Sequence, residues 1–139
     1  VHAAWTRLDA RFTGVNQCTA ACTVAPGARI PGVPRNHLYA SLRWRGAAGW
    51  HIGLDALAVG AVVVDDANSA RAPGYATAGI DAGRLIHRGG ATIAPFVRID
   101  NLLDRRYIGS VIVNDANGRY FEPAPGRSVM VGVKIRFDE

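Results

Sequence analysis

The sequence predicts an all-β chain of antiparallel, up-and-down strands that cross a membrane as part of a barrel wall. Three observations carry that prediction. Near the end of the chain Val129, Val131, Val133, Ile135 and Phe137 fall on one face of a strand, and Ser128, Met130, Gly132, Lys134 and Arg136 fall on the other. The first set is wholly apolar and the second mostly small or cationic, which suits lipid on one side and polar contents on the other. The 16 Gly and 7 Pro stand between short apolar runs, and both residues are unfavourable inside a helix. Connections alternate in length: Gly46 to Gly49 and Arg88 to Gly90 are tight, whereas 14–36, 65–74 and 108–127 are long. Short turns on one rim and long loops on the other is the layout of a transmembrane β-barrel.

About six strands are expected from the periodicity. The first runs over 1–13, with Ala4, Thr6, Leu8, Ala10 and Phe12 opposing Arg7, Asp9 and Arg11. In the second, 37–45, Leu38, Ala40, Leu42 and Trp44 alternate with Tyr39, Ser41, Arg43 and Arg45. The third, 50–64, is apolar on both faces in its second half, so its facing stays open. A fourth covers 75–87, interrupted by Asp81 and Arg84, and a fifth covers 91–107. Pro95 lies early in that fifth strand, where its missing N–H predicts a bulge or local break. The terminal strand follows the Pro125-Gly126-Arg127 turn. Asn117-Gly118 is a hairpin dipeptide, so the last long loop is expected to continue as a β-ribbon.

Composition narrows the function classes. At 139 residues there is room for one domain, and 49% hydrophobic content with 19% charged residues is too apolar for disorder. The longest apolar run, Ala56 to Val64, is far short of the roughly 20 residues that a membrane helix needs, yet long enough for a tilted strand of about 9–11. The net charge of +5 is carried almost wholly by Arg, with Lys134 the only lysine. Those arginines are scattered one or two per segment, without a basic helix or RNA-binding aromatic motif, so a nucleic-acid partner is not expected. Cys18 and Cys22 lack the further ligands zinc requires, and a local disulfide in an oxidising compartment is the expected state. The chain opens Val1-His2-Ala3-Ala4-Trp5 inside strand-like sequence, which reads as a fragment or processed product.

Asn101-Leu-Leu-Asp104-Arg-Arg-Tyr107-Ile-Gly109, then Gly118 to Arg127 with its Pro125-Gly126-Arg127 turn, then a strand ending on Phe137, together resemble the carboxy-terminal end of TonB-dependent outer-membrane receptors of the ferric-siderophore class. Leu103 stands where that family usually has Phe, and Asp138 and Glu139 trail the terminal aromatic. Ile30-Pro-Gly-Val-Pro34, Asp65-Asp-Ala-Asn68 and Ala72-Pro-Gly-Tyr75 extend the likeness over nearly the whole chain. The resemblance implies residues 1–139 as a carboxy-terminal portion of a barrel of about 22 strands, without the plug domain and earlier strands. It further implies a place in the outer membrane of a Gram-negative bacterium, against outer-membrane lipid. Its implied role is import of a ferric siderophore or similar scarce ligand with energy from the TonB complex, which would act through the absent amino-terminal region.

Candidate site residues follow from placement and family. Arg29, Arg71, Tyr75, Arg119 and Tyr120 lie on or beside the expected outer loops, where arginines and aromatic rings could meet an anionic iron chelate. Asn101, Asp104 and Tyr107 are expected to form a polar network at a strand bend and loop base. Asp115-Ala-Asn117-Gly118 echoes the start of a calcium loop but lacks its terminal Glu, so turn chemistry is expected and no metal. His2, His37, His51 and His87 are separated along the chain, and Trp5, Trp44 and Trp50 sit where an aromatic girdle would place them. No nucleophile elbow, phosphate loop or metalloprotease motif occurs, so no enzyme activity and no cofactor are expected. A second reading is a small self-contained β-barrel or sandwich that binds a ligand or oligomerises through its edges.

Overall fold

The computed structural model describes residues 1–17 and 23–137; the Cys18–Cys22 disulfide expectation falls outside them. In chain order the strands are β1 (His2–Arg7), β2 (Asn16–Gln17), β3 (Thr23–Val24), β4 (Asn36–Arg45), β5 (Trp50–Val59), β6 (Val62–Val63), β7 (Arg71–Ala72), β8 (Tyr75–Arg84), β9 (Ile86–Arg88), β10 (Ala91–Asp100), β11 (Ile108–Val111), β12 (Phe121–Pro123) and β13 (Ser128–Phe137). A single sheet forms the wall in the order β1-β4-β5-β8-β10-β13, with β9 continuing the β8 side of β10. All its pairs are antiparallel. Five of its strands are 10 residues long, the length at which a tilted strand crosses a bilayer. Among the described residues no helix is long and apolar enough to cross a membrane.

Register sorts the side chains of the whole wall onto two faces. The rows Leu42↔Leu54↔Ile80↔Ile99↔Val129 and Trp44↔Ile52↔Ala82↔Val97↔Val131 are apolar from β4 to β13. One residue along, Arg43↔Gly53↔Asp81↔Arg98↔Met130 carries charge. Because a strand alternates with period two, neighbouring rows point to opposite faces. The apolar face packs against nothing: Val129, Val131, Val133, Ile135 and Phe137 are 59–78% exposed. A sandwich would cover this face with a second sheet, and none lies on it among the described residues. Trp44 and Trp50 flank the tight turn at Ala47–Gly49, and Trp5 pairs with Leu38 toward the loop rim, so apolar-face tryptophans stand near both ends of the wall.

The wall corrects several strand expectations. The first strand ends at Arg7 instead of residue 13, and pairing of Trp5 with Leu38 places Trp5 on the apolar side and Ala4 and Thr6 on the other, the reverse of the expected facing. The third stops at Val59, where Gly60 donates to the Asn36 carbonyl and the chain leaves the sheet; Val62–Val63 instead pairs with Arg71–Ala72 in a loop ribbon. The fifth ends at Asp100, because Asn101 takes a left-handed φ of 49° that a strand cannot continue. Pro95 does break a ladder: pairing with β8 and β9 lapses at Ala94 and Pro95 and resumes on both sides in one register. The ribbon foreseen around Asn117-Gly118 is present as β11 and β12.

Candidate functional site

Two structures crown the wall, a charged lattice on its polar face and a cluster of loops above one rim. The lattice begins with strand pairing. Asp55 on β5 stands opposite Gly79 on β8, and Asp81 on β8 stands opposite Gly53 on β5, so each carboxylate faces an empty position. Arginines from the flanking strands fill that space. Arg43 donates to Asp55 at 2.9 Å and lies 3.3 Å from Asp81, while Arg98 lies 3.5 Å from Asp55, 3.7 Å from Asp81 and 2.8 Å from Asp100. The Tyr39 hydroxyl completes Asp55 at 2.9 Å. A Cβ at Gly53 would come within 2.2 Å of an Arg43 nitrogen and 2.4 Å of an Asp81 oxygen, so the glycine is what lets the lattice close. Three carboxylates against two guanidiniums tie four adjacent strands together on the polar face.

Above this lattice a hollow of about 430 Å³ is lined by Tyr39, Arg43, Asp55, Arg98, Asp100 and Tyr107, among others. Its charges are already paired with one another, so the surface is suited to holding and orienting a polar occupant.

The loop cluster has its own small core. Val24, Val63, Val64 and Ala72 are the buried apolar side chains among the described residues; three lie in the loop ribbons and Val64 directly follows β6. Hydrogen bonds stitch the three long loops together. Asn68 accepts from the Arg29 N–H and donates to the Arg29 carbonyl, both at 2.9 Å, and Asn114 does the same for Asp66 through its N–H (2.9 Å) and carboxylate (3.0 Å). Both asparagines sit at left-handed φ, 57° and 56°, a conformation that Asn tolerates better than most residues. Asp65 is buried at the centre. Burial alone would raise its carboxyl pKa, but the Ser69 hydroxyl and the N–H groups of Ser69 and Ala70 outweigh that and hold it below the ordinary value.

The sequence-derived candidates separate into two groups. Arg29 is engaged, 3.6 Å from Asp9 and locked through its backbone to Asn68, and Tyr75 packs on Tyr107 with ring centroids 4.2 Å apart. Arg71 projects from an exposed position on β7, Arg119 is exposed beside the Asn117-Gly118 turn, and Tyr120 meets Phe121 edge to face. Asn101 is buried, accepting from the Arg105 N–H at 2.9 Å and donating to the carbonyls of Arg105 at 2.8 Å and Pro125 at 3.4 Å. Asp104 accepts the Arg127 N–H at 2.8 Å, and a Cβ at Gly126 would crowd that same carboxylate. Asp115 spends its carboxylate on the N–H groups of Arg119 and Asn117, which hold its pKa down as in an ordinary Asx turn. Sequence reasoning missed the Arg43-Asp55-Asp81-Arg98 lattice; the alternation of Arg43 and Arg98 with apolar neighbours hinted at a polar face but not at cross-strand partners.

No protein-family model matches the chain. Solved structures do. The siderophore receptor PiuA from Acinetobacter baumannii matches over 96% of this chain with a TM-score of 0.77 and 22% identity. The ferric citrate transporter FecA matches over 78% with a TM-score of 0.67 and 17% identity, and the ferric yersiniabactin uptake receptor FyuA from Yersinia pestis over 80% with a TM-score of 0.58 and 29% identity. The wall therefore has the fold of a stretch of a transmembrane β-barrel. More particularly, its fold is that of TonB-dependent siderophore receptors, and the chain spans less than a fifth of the length of each of these three, 19% for PiuA and 17% for FecA and FyuA.

Proposed function

We propose that residues 1–139 are the carboxy-terminal part of a TonB-dependent receptor that imports a ferric siderophore across the outer membrane of a Gram-negative bacterium. The observation that carries this reading is the two-faced register: five 10-residue strands present an uncovered apolar face outward and a charge-paired lattice inward. The ligand class comes from proteins of the same fold: a siderophore receptor, a ferric preacinetobactin receptor and a ferric yersiniabactin uptake receptor. The loop cluster is the ligand-facing rim, and Arg71, Arg119 and Tyr120 are its available contacts, since Arg29 and Tyr75 are held by protein partners. The wall itself is passive: it encloses the lumen, and TonB-derived energy enters through other parts of the receptor.

The test is iron uptake by the complete receptor in iron-starved cells. Replacing Arg71, Arg119 and Tyr120 together by Ala should weaken ferric-siderophore binding at least about fivefold, as loss of Arg and Tyr contacts does at other interfaces. Unchanged affinity, measured on receptor that still reaches the outer membrane, would remove these residues from the ligand site.

A further inference from the structure

We propose that the turn-side end of the apolar face holds a phospholipid with an anionic headgroup, the phosphate on Arg84 and an acyl chain in a groove over Pro95. This rests on the membrane reading above. Register places Ala82↔Val97↔Val131, Trp50↔Arg84 and Pro95↔Val133 on that face. The small side chains of Ala82 and Pro95 floor a groove of about 330 Å³ walled by Trp50, Val97, Val131 and Val133. Its floor coincides with the lapse in the ladder between β10 and the β8 side.

Arg84 closes the end of the groove nearest the turn. Its Nε donates to the Ala48 carbonyl at 3.0 Å, and its guanidinium carbon lies 5.4 Å from the Trp50 ring centroid. These two contacts fix the group in place, and among the described residues no carboxylate forms an ion pair with it. A guanidinium held beside an interfacial tryptophan, with its terminal nitrogens uncommitted to an acid, fits the geometry of a phosphate. An apolar groove leading away from that cation fits the chain attached to the phosphate. A protein partner would have to supply both an acid and a matching apolar ridge at membrane depth; a phospholipid carries both in one molecule.

The test uses the complete protein in bilayers, with Ile52→Cys carrying a bimane fluorophore in a background free of other reactive cysteine. Ile52 is directly opposite Ala82 on the same face. Quenching by acyl-brominated phosphatidylglycerol is compared with quenching by acyl-brominated phosphatidylcholine at equal mole fraction. The expected result is about fivefold stronger association of the anionic lipid, the size of effect one interfacial arginine supplies, and loss of that preference in Arg84→Gln. Equal quenching by the two lipids in the parent protein would overturn the lipid site while leaving the membrane reading intact. Retention of the preference in Arg84→Gln would overturn Arg84 as its anchor. Quenching by neither lipid would contradict the membrane reading and the site together.

Discussion

Gly53 and Asn101 show how single residues decide what this wall can be. Gly53 leaves room for the Arg43–Asp81 pair to cross β5, so Gly53→Ala should push that pair apart and cost about 1–3 kcal/mol. Equilibrium unfolding in detergent micelles measures it, and Gly14→Ala, which meets nothing within 4 Å, is the matched control. Asn101 combines left-handed φ with three hydrogen bonds from one buried amide. Asn101→Ala should lose about 1–3 kcal/mol and loosen the base of the last loop, seen as faster amide exchange at Arg105. At Asp65 the folded pKa lies below the ordinary value of 3.8, so its contribution to stability is present above that value and is lost as pH falls through the lower folded value. Amide protection of Ser69 and Ala70 should therefore drop in strong acid, and Asp65→Asn should flatten that dependence. Asn101 was legible because its motif spacing is local. Gly53 was not, since its importance lies in side chains 10 residues before it and 28 after it, brought together only by pairing.

In each strand, the face a residue occupies sets what a charge there costs. An arginine on the apolar face near mid-membrane costs about 2–4 kcal/mol, and about 0–1 near an interface. Leu54→Arg, in the middle of β5, should therefore be strongly destabilising, Trp44→Arg at the rim much less so, and Thr77→Arg on the polar face close to neutral. Unfolding of the three variants from lipid vesicles checks the gradient. The facing of β13 could be read directly from its sequence, where apolar residues alternate without exception. β1 could not: over residues 1–13 the alternation set Ala4, Thr6, Leu8, Ala10 and Phe12 against Arg7, Asp9 and Arg11, and pairing of Trp5 with Leu38 reverses that facing in the six residues that form the strand. The β6–β7 ribbon was also hidden, because the apolar run through Val64 reads as one strand until Gly60 turns it out of the sheet. That run supplies Val63 and Val64 to the loop core, a use of apolar residues that periodicity cannot distinguish from a strand in the wall.

For the whole molecule, the account stands on one asymmetry: apolar residues point away from a polar, ion-paired interior across the full width of the sheet. Short turns at one rim and stitched loops at the other give the wall a direction. The outer edges of β1 and β13 have no strand partner among the described residues, and unpaired backbone groups are costly in lipid. The most direct test is nitroxide scanning of residues 128–137 in the complete protein reconstituted in bilayers, reading collision with oxygen against collision with a water-soluble nickel reagent. Oxygen accessibility should peak at Val129, Val131, Val133 and Ile135 and fall at Met130, Gly132 and Lys134, a period of two in the phase the register fixes. A flat profile, or one of opposite phase, would contradict the assignment of lipid to the apolar face and with it the reading of this chain as a receptor wall.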